Sequence, residues 1–338
     1  MKKILTLALA AATLLTAASC QKEGEKATNG DANVRVSVGL PATKAIGDGT
    51  SAKQLCYEVY YRGAIGSDTK GWTLVETVVD NESLQESLSA TIDFTLLRGS
   101  EYVVLFWAQA PNSPYTFDDE KGMRKVHMNY QTTPTGNLET RDAFCGYMDI
   151  TVGYTDSDQV LQCDLFRPFA QLNFVSTDFN NITGDDIKEI TLEKSEVKVS
   201  KLPPFYYIYP GSADGDANLE NDVTFVVDGA YIDEPFEHVD YEAGETTWMS
   251  MNYVLLPTNA TSVDVHAKFT VTATYANDEE VEHVVYFADQ DDVTAPRTVA
   301  AQTNYRTNII GDFFTGSRPV TVTIKPGMLG DNDVKDLF

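Results

Sequence analysis

The stretch "SVDVHAKFTVTATY", Ser262–Tyr275, alternates without a break: Val263, Val265, Ala267, Phe269, Val271, Ala273 and Tyr275 fall on one parity, and Asp264, His266, Lys268, Thr270, Thr272 and Thr274 on the other. A period of two sends successive side chains to opposite faces of an extended chain, so this segment reads as a strand with one face in a core and one in water. The same period recurs in 33–40, in 170–176 with Ala170, Leu172 and Phe174 inward, and in 320–324. Further strands are expected over 55–61, 72–79, 90–96, 146–152, 160–166, 187–193, 223–228, 251–256 and 281–287. "YVVLFWA", 102–108, is a continuous apolar run bounded by Gly99 and Pro111, and it reads as a central strand buried on both faces. Helical spacing fits only 82–88 and 185–190. Strands at this spacing, separated by Gly, Asp, Asn and Pro, predict an all-β chain of antiparallel β-sandwiches.

With 338 residues, of which 43% are hydrophobic, the chain is long enough for two such domains, with a single large sandwich as the alternative. A boundary is expected at Arg167-Pro168, because proline cannot donate to a central ladder and a fresh alternating strand begins directly after it. The expected domains are 33–167 and 168–338. No repeat with a period of 20–50 residues is visible in the sequence.

The N-terminus has a different character. Lys2 and Lys3 precede an unbroken run of apolar and small residues from Ile4 to Ala18, and Cys20 follows, which reads as a secretory signal peptide over 1–19. The run is shorter than the roughly 20 apolar residues that a spanning helix needs. Ala17-Ala18-Ser19-Cys20 resembles a bacterial lipobox with Ala17 where Leu is commoner, so Cys20 is expected to carry the lipid and 20–32 to form a polar tether. "Gln21-Lys22-Glu23" resembles the charged signal that exports Bacteroidetes lipoproteins to the cell surface.

The formal charge is −25 and becomes −27 when Lys2 and Lys3 leave, which argues against nucleic acid or an anionic membrane surface as a partner. Contact with the membrane is expected only through the lipid. Apart from Cys20, the cysteines are Cys56, Cys145 and Cys163, an odd set with no CxxC spacing, so no disulfide framework holds the fold. His127, His238, His266 and His283 lack zinc spacing, and there is no GxSxG, no phosphate loop and no GxGxxG. Acidic stretches such as "FDDEKG" and "DQDDVT" read as solvated turns rather than a glycosidase pair. No cofactor and no catalysis are expected.

Two stretches invite ligand readings. Asp214, Asp216, Asn218 and Glu220 alternate like a calcium loop, but Leu219 replaces its glycine and Phe225 its closing glutamate, so the motif is broken. "PPFYYIYP" carries Phe205, Tyr206, Tyr207 and Tyr209, which could stack on sugar rings where exposed, although neighbours on a strand face opposite ways and at least half belong to the core.

"ASCQKE" at the lipidation site, "RPFAQLNF" (167–174) and "NYRTNIIGDFFTG" (304–316) together resemble the fimbrillin-like lipoproteins of Bacteroidetes, which are related to the type V pilus subunits; "YEVYY" and "VLFWAQ" resemble the first domain of an uncharacterised branch of that group. The resemblance implies two transthyretin-like, Greek-key sandwiches. It also implies an outer-membrane lipoprotein displayed at the cell surface, with a part in fimbriae or adhesion and with other fimbrial subunits or its own copies as partners. In the resembling pilins a protease removes the first strand and a neighbour's C-terminal strand fills the groove. Here that would mean release of Val34, Val36, Val38 and Leu40 by a cut between Lys44 and Ala45, with Val320, Val322 and Ile324 as the donor strand. Lys44 stands where those proteins have Arg, which leaves open an uncleaved anchor or accessory subunit. The strand at 320–324 equally suits completion of its own sandwich. A second reading is a surface glycan-binding lipoprotein of a nutrient-uptake system.

Overall fold

The computed structural model describes residues 30–40, 49–80, 84, 88–130, 136, 138–155, 158–179, 187–213, 221–228, 247–289, 291–315 and 320–326. The strands of the first half are β1 (Asp31–Gly39), β2 (Gln54–Ala64), β3 (Thr73–Asp80), β4 (Ser89–Leu97), β5 (Ser100–Gln109), β6 (Thr116–Asp118), β7 (Gly122–His127), β8 (Ala143–Val152) and β9 (Gln159–Asp164). Those of the second are β10 (Phe169–Ser176), β11 (Ile187–Val199), β12 (Phe205–Tyr207), β13 (Ser212–Ala213), β14 (Val223–Asp228), β15 (Thr247–Leu255), β16 (Ser262–Tyr275), β17 (Glu280–Phe287), β18 (Arg297–Ala300), β19 (Tyr305–Gly311) and β20 (Thr321–Pro326). The chain is all-β, as its alternation predicts. β16 coincides with the fourteen-residue stretch, and its apolar parity is buried from Val263 to Ala273. β5 is central between β2 and β8 and has almost no exposed side chain.

In the first half the sheet β4-β1-β9 packs against β3-β2-β5-β8, and the core between them holds Val34, Val36, Val38, Tyr57, Val59, Phe94, Val104, Phe106 and Phe144. In the second half β15-β10-β19-β20 packs against β14-β11-β16-β17, with β18 continuing β17's side of β16. Phe174 meets Phe269 and Phe287 across that core at ring-centroid distances of 5.4 Å each. The two halves repeat one strand order. The opening strand lies between an antiparallel partner (β4, β15) and a parallel one (β9, β19), and the facing sheet runs 3-2-5-8 in one half and 14-11-16-17 in the other. The two parallel pairs depart from the wholly antiparallel expectation. A parallel neighbour needs a long connection, and here the intervening strands of each half supply it. In the second half β20, paired outside β19, and β18, paired with β16, are additions to that shared order.

Strand pairing crosses from one half to the other only at β12 with β7 among the described residues. Side chains join the halves more broadly. Trp107 and Tyr115 from the first half pack on Phe169, with Tyr115 and Phe169 stacked at 5.2 Å. Beneath them Arg167 makes a buried, two-pronged ion pair with Asp142, and its guanidinium lies 4.6 Å from the Phe144 ring centre. Two fully desolvated charges are tolerable only when each completes the other's hydrogen bonding, which a planar arginine fork on a carboxylate does. β10 is consequently buried on both faces rather than on the Ala170-Leu172-Phe174 face alone. On its other face the Asn173 amide donates to Asn308 and Gln171, which gives those buried acceptors a partner inside the protein.

The helical reading of 185–190 is corrected, because β11 begins at Ile187 and its pairing with β16 satisfies the backbone that a helix would have satisfied internally. The reading of 82–88 falls largely outside the described residues. Cys56, Cys145 and Cys163 are buried free thiols.

Candidate functional site

β1 is the element on which the strand-release expectation rests. Val34, Val36 and Val38 are exposed by 1%, 0% and 1%, while the alternate residues face solvent, where Arg35 pairs with Asp93 of β4 at 2.7 Å. Val34, Val36 and Val38 stand opposite Phe94, Ile92 and Ala90 of β4 and Gln159, Leu161 and Cys163 of β9. Leu40 is buried just beyond the strand, and its N–H donates to the Leu88 carbonyl at 2.8 Å. Removal of β1 would therefore open a slot between two strands, with unpaired backbone on both walls and an apolar floor. Lys44, Ala45 and Cys20 lie outside the described residues.

The C-terminal strand sits in its own sheet. Val322 and Ile324 are half-buried opposite Ile309 and Thr307 of β19, and Val320 lies just ahead of β20. Val320 presses so closely on Gly311 that a Cβ there would come within 2.7 Å of the Val320 Cα. The turn leaving β19 is held by Asp178. Its carboxylate accepts the N–H groups of Phe313 and Phe314 at 3.0 Å and of Thr315 at 2.6 Å, and the Ser176 hydroxyl at 2.8 Å. That clamp gives the "GDFFT" part of the C-terminal motif its structural reason.

A second surface forms where the 205–213 segment lies against the outer face of β2 and the β6–β7 hairpin. The hairpin is seated by Glu58, buried in β2, which accepts the Met123 N–H at 2.8 Å and the Tyr60 hydroxyl at 2.5 Å. Gly122 is required there, with a φ of 58° and room for a Cβ only 2.6 Å from that carboxylate. Above the hairpin the rings form a chain. Trp72 meets Tyr60 and Tyr209 edge-on at 5.2 Å each, and Tyr209 meets the exposed Tyr147 at 4.9 Å. The Arg62 guanidinium lies 3.9 Å from the Trp72 ring centre and the Arg124 guanidinium 5.2 Å from it, both in cation–π range. Arg124 Nε donates to the Lys121 carbonyl, and neither arginine forms an ion pair with a carboxylate among the described residues. Within "PPFYYIYP", Tyr206 is core, while Phe205, Tyr207 and Tyr209 are half-buried, and Lys125 and Lys121 approach the Phe205 and Tyr207 rings at 3.7 and 5.9 Å. The sequence reading singled out the tyrosines but missed Arg62, Trp72, Arg124 and Tyr147. The available signal was the basic run Lys121, Arg124, Lys125 in an acidic chain.

The acidic stretches behave as turns. Asp118 accepts the N–H groups of Lys121 and Glu120, which, with His127 and Lys125 beside it, lowers its pKa to about 2. Asp289 and Asp292 likewise bond their own loop backbone. His266 bonds the Val293 carbonyl. No group of three or more His, Cys, Asp or Glu able to hold a metal occurs among the described residues, and the 214–220 loop falls outside them.

A model of DUF6562, a family of unknown function, matches residues 25–336. No curated protein matches the chain. Among solved structures, a candidate adhesin from Bacteroides ovatus aligns at 12% identity and a TM-score of 0.46, over 88% of this chain and 95% of that one. A fimbrial assembly protein from Parabacteroides distasonis aligns at 11% identity and 0.42, over 88% and 96%. A candidate polysaccharide-binding protein from Bacteroides thetaiotaomicron aligns at 11% and 0.43, over 86% and 96%.

Proposed function

We propose, for a chain that belongs to DUF6562 and so inherits no activity from its family, a structural and adhesive role at the cell surface rather than turnover. The protein is a lipid-anchored, fimbrillin-like subunit of the outer membrane whose first strand is exchangeable. One observation carries this reading: an N-terminal strand, central in its sheet and buried through Val34, Val36 and Val38, lies just ahead of a short connection that holds Lys44. A strand in that position can be removed by one cut, and the slot it leaves is refilled by a strand from a neighbour. Treatment of the purified protein with a trypsin-like protease tests this by N-terminal sequencing and gel mobility. A new terminus at Ala45 together with ladders of subunits is the expected result. A clipped chain that stays monomeric and folded overturns strand exchange.

A second reading, binding of surface glycans, is favoured by the Tyr147-Tyr209-Trp72 ring chain with its arginines. The two readings are compatible in an adhesin, which needs both an assembly surface and a ligand surface.

A further inference from the structure

The chain carries 50 acidic residues against 25 basic ones, so an arginine without a carboxylate partner stands out. Arg62 and Arg124 converge on one indole. Their distances to it bound the separation of the two guanidinium carbons at about 9 Å, the sum of the two. One terminal amino group of Arg62 is buried with no hydrogen-bond partner. A guanidinium has five N–H donors, and leaving the buried ones on that nitrogen unserved beside a second cation is costly unless an acceptor completes the site. Glu58, the carboxylate beneath the hairpin, is already occupied by Tyr60 and Met123, and Glu101, opposite Gly63, pairs with Lys70. Beside the arginines the edges and faces of Tyr209 and Tyr147 remain partly open, and an aromatic face next to a guanidinium fork suits a ligand that is at once a ring with C–H faces and an acid.

We propose that Arg62 and Arg124, with Trp72, Tyr209 and Tyr147, form a subsite for a sugar that bears a single carboxylate at the end of an otherwise neutral glycan. This deepens the glycan-binding reading and rests on it. The restriction to one charge follows from the rest of the molecule. A polyanion would lay its further charges along a strongly acidic protein, whereas a lone carboxylate can be met by the two arginines alone.

The test is titration of the purified full chain with 3′-sialyllactose, a glucuronic-acid-terminated xylobiose, lactose, xylobiose and sodium sulfate, followed by calorimetry and tryptophan fluorescence. Expected is binding of at least one acidic sugar, with the neutral sugars and sulfate at least about tenfold weaker, and with quenching of the Trp72 contribution. Arg62→Gln and Arg124→Gln should each weaken that binding about tenfold at an unchanged thermal midpoint. If either substitution unfolds the protein, Tyr147→Ala, at an exposed ring, should give the same loss without unfolding. Equal binding of acidic and neutral sugars, or acidic binding untouched by the variants, overturns this subsite while leaving glycan binding in place. Binding of sulfate alone reduces it to an anion site without sugar recognition, and no binding of any sugar overturns both.

Discussion

A chain that begins at Ala45 lacks β1, and the consequence can be worked from burial. Val34, Val36, Val38 and Leu40 are all nearly inaccessible in the intact protein. Burial of such a side chain is worth about 1.5–3 kcal/mol, so the four together contribute about 6–12 kcal/mol. A whole domain has a net stability of about 5–15 kcal/mol, so the loss is comparable to the total. Even the lower figure corresponds to a fall of roughly 12–24 °C in thermal midpoint, at about 2–4 °C per kcal/mol. The backbone groups of β4 and β9 that face β1 would also be left without partners. The truncated chain should therefore unfold early in a calorimetric scan or gather into oligomers. A synthetic peptide of residues 31–40 should restore the midpoint, and the same peptide with Val36→Asp should not, because it would bury an unpaired charge. Fluorescence anisotropy of labelled peptide measures the occupancy of the slot directly. A truncated monomer that melts within a few degrees of the intact chain would falsify the view that β1 completes the first sandwich.

Replacement of Asp178 by Ala removes the acceptor of three backbone N–H groups and a hydroxyl, which should cost about 2–4 kcal/mol in urea unfolding and speed hydrogen exchange in β20 before β10; uniform protection in both strands would refute the clamp. Burial raises the thiol pKa of Cys56 to about 12 and of Cys163 to about 11, and pushes Cys145 up further, so the three should resist a thiol reagent at pH 8 until the protein is denatured. Because these pKa values are higher folded than unfolded, their contribution to stability is complete below the unfolded value of about 9 and is lost as pH rises toward 11–12; a midpoint that is flat across that window contradicts the burial. Cys20→Ser should move the protein from the membrane to the soluble fraction, and retention at wild-type levels rules out the lipid anchor.

Strands that alternate cleanly were legible from sequence, and their burial follows the alternation. β16 and β14 match their expected limits, and β1 was displaced only at its ends. The hairpin β6–β7 and the strands β12, β13 and β18 were not legible, because none of these short segments carries a sustained alternation of apolar and polar residues. Gln171 and Asn173 looked like the wet face of β10, yet both are buried, with the Asn173 amide donating to Gln171 and to Asn308, 135 residues away. The repeated strand order is equally invisible, since what the halves share is the order of pairing and not a series of side chains. The ring-and-arginine surface gathers Tyr60, Arg62 and Trp72 with Arg124, Tyr147 and Tyr209, and no local pattern connects four separated segments.

The sheet β3-β2-β5-β8 places the two proposed activities back to back. Its inner parity, with Tyr57, Val59, Val104 and Phe106, forms the floor under β1. Its outer parity, with Glu58, Tyr60, Leu105 and Trp107, seats the hairpin, the ring chain and the contact with Phe169. Residues on opposite parities of one strand share a backbone but not a packing layer, so once another strand refills the slot the outer face packs as it does in the intact protein. The outer face also has its own supports, the Glu58 contacts to the hairpin and the Asp142-Arg167 pair at the junction of the halves. A subunit built in this way can exchange its first strand during assembly while its arginine-lined surface keeps its geometry, and a ligand held there should neither promote nor hinder exchange. Measurement of peptide 31–40 binding to the truncated chain with and without a saturating acidic sugar decides this, and a change in peptide affinity of more than about threefold would mean that the two faces are coupled through the sheet.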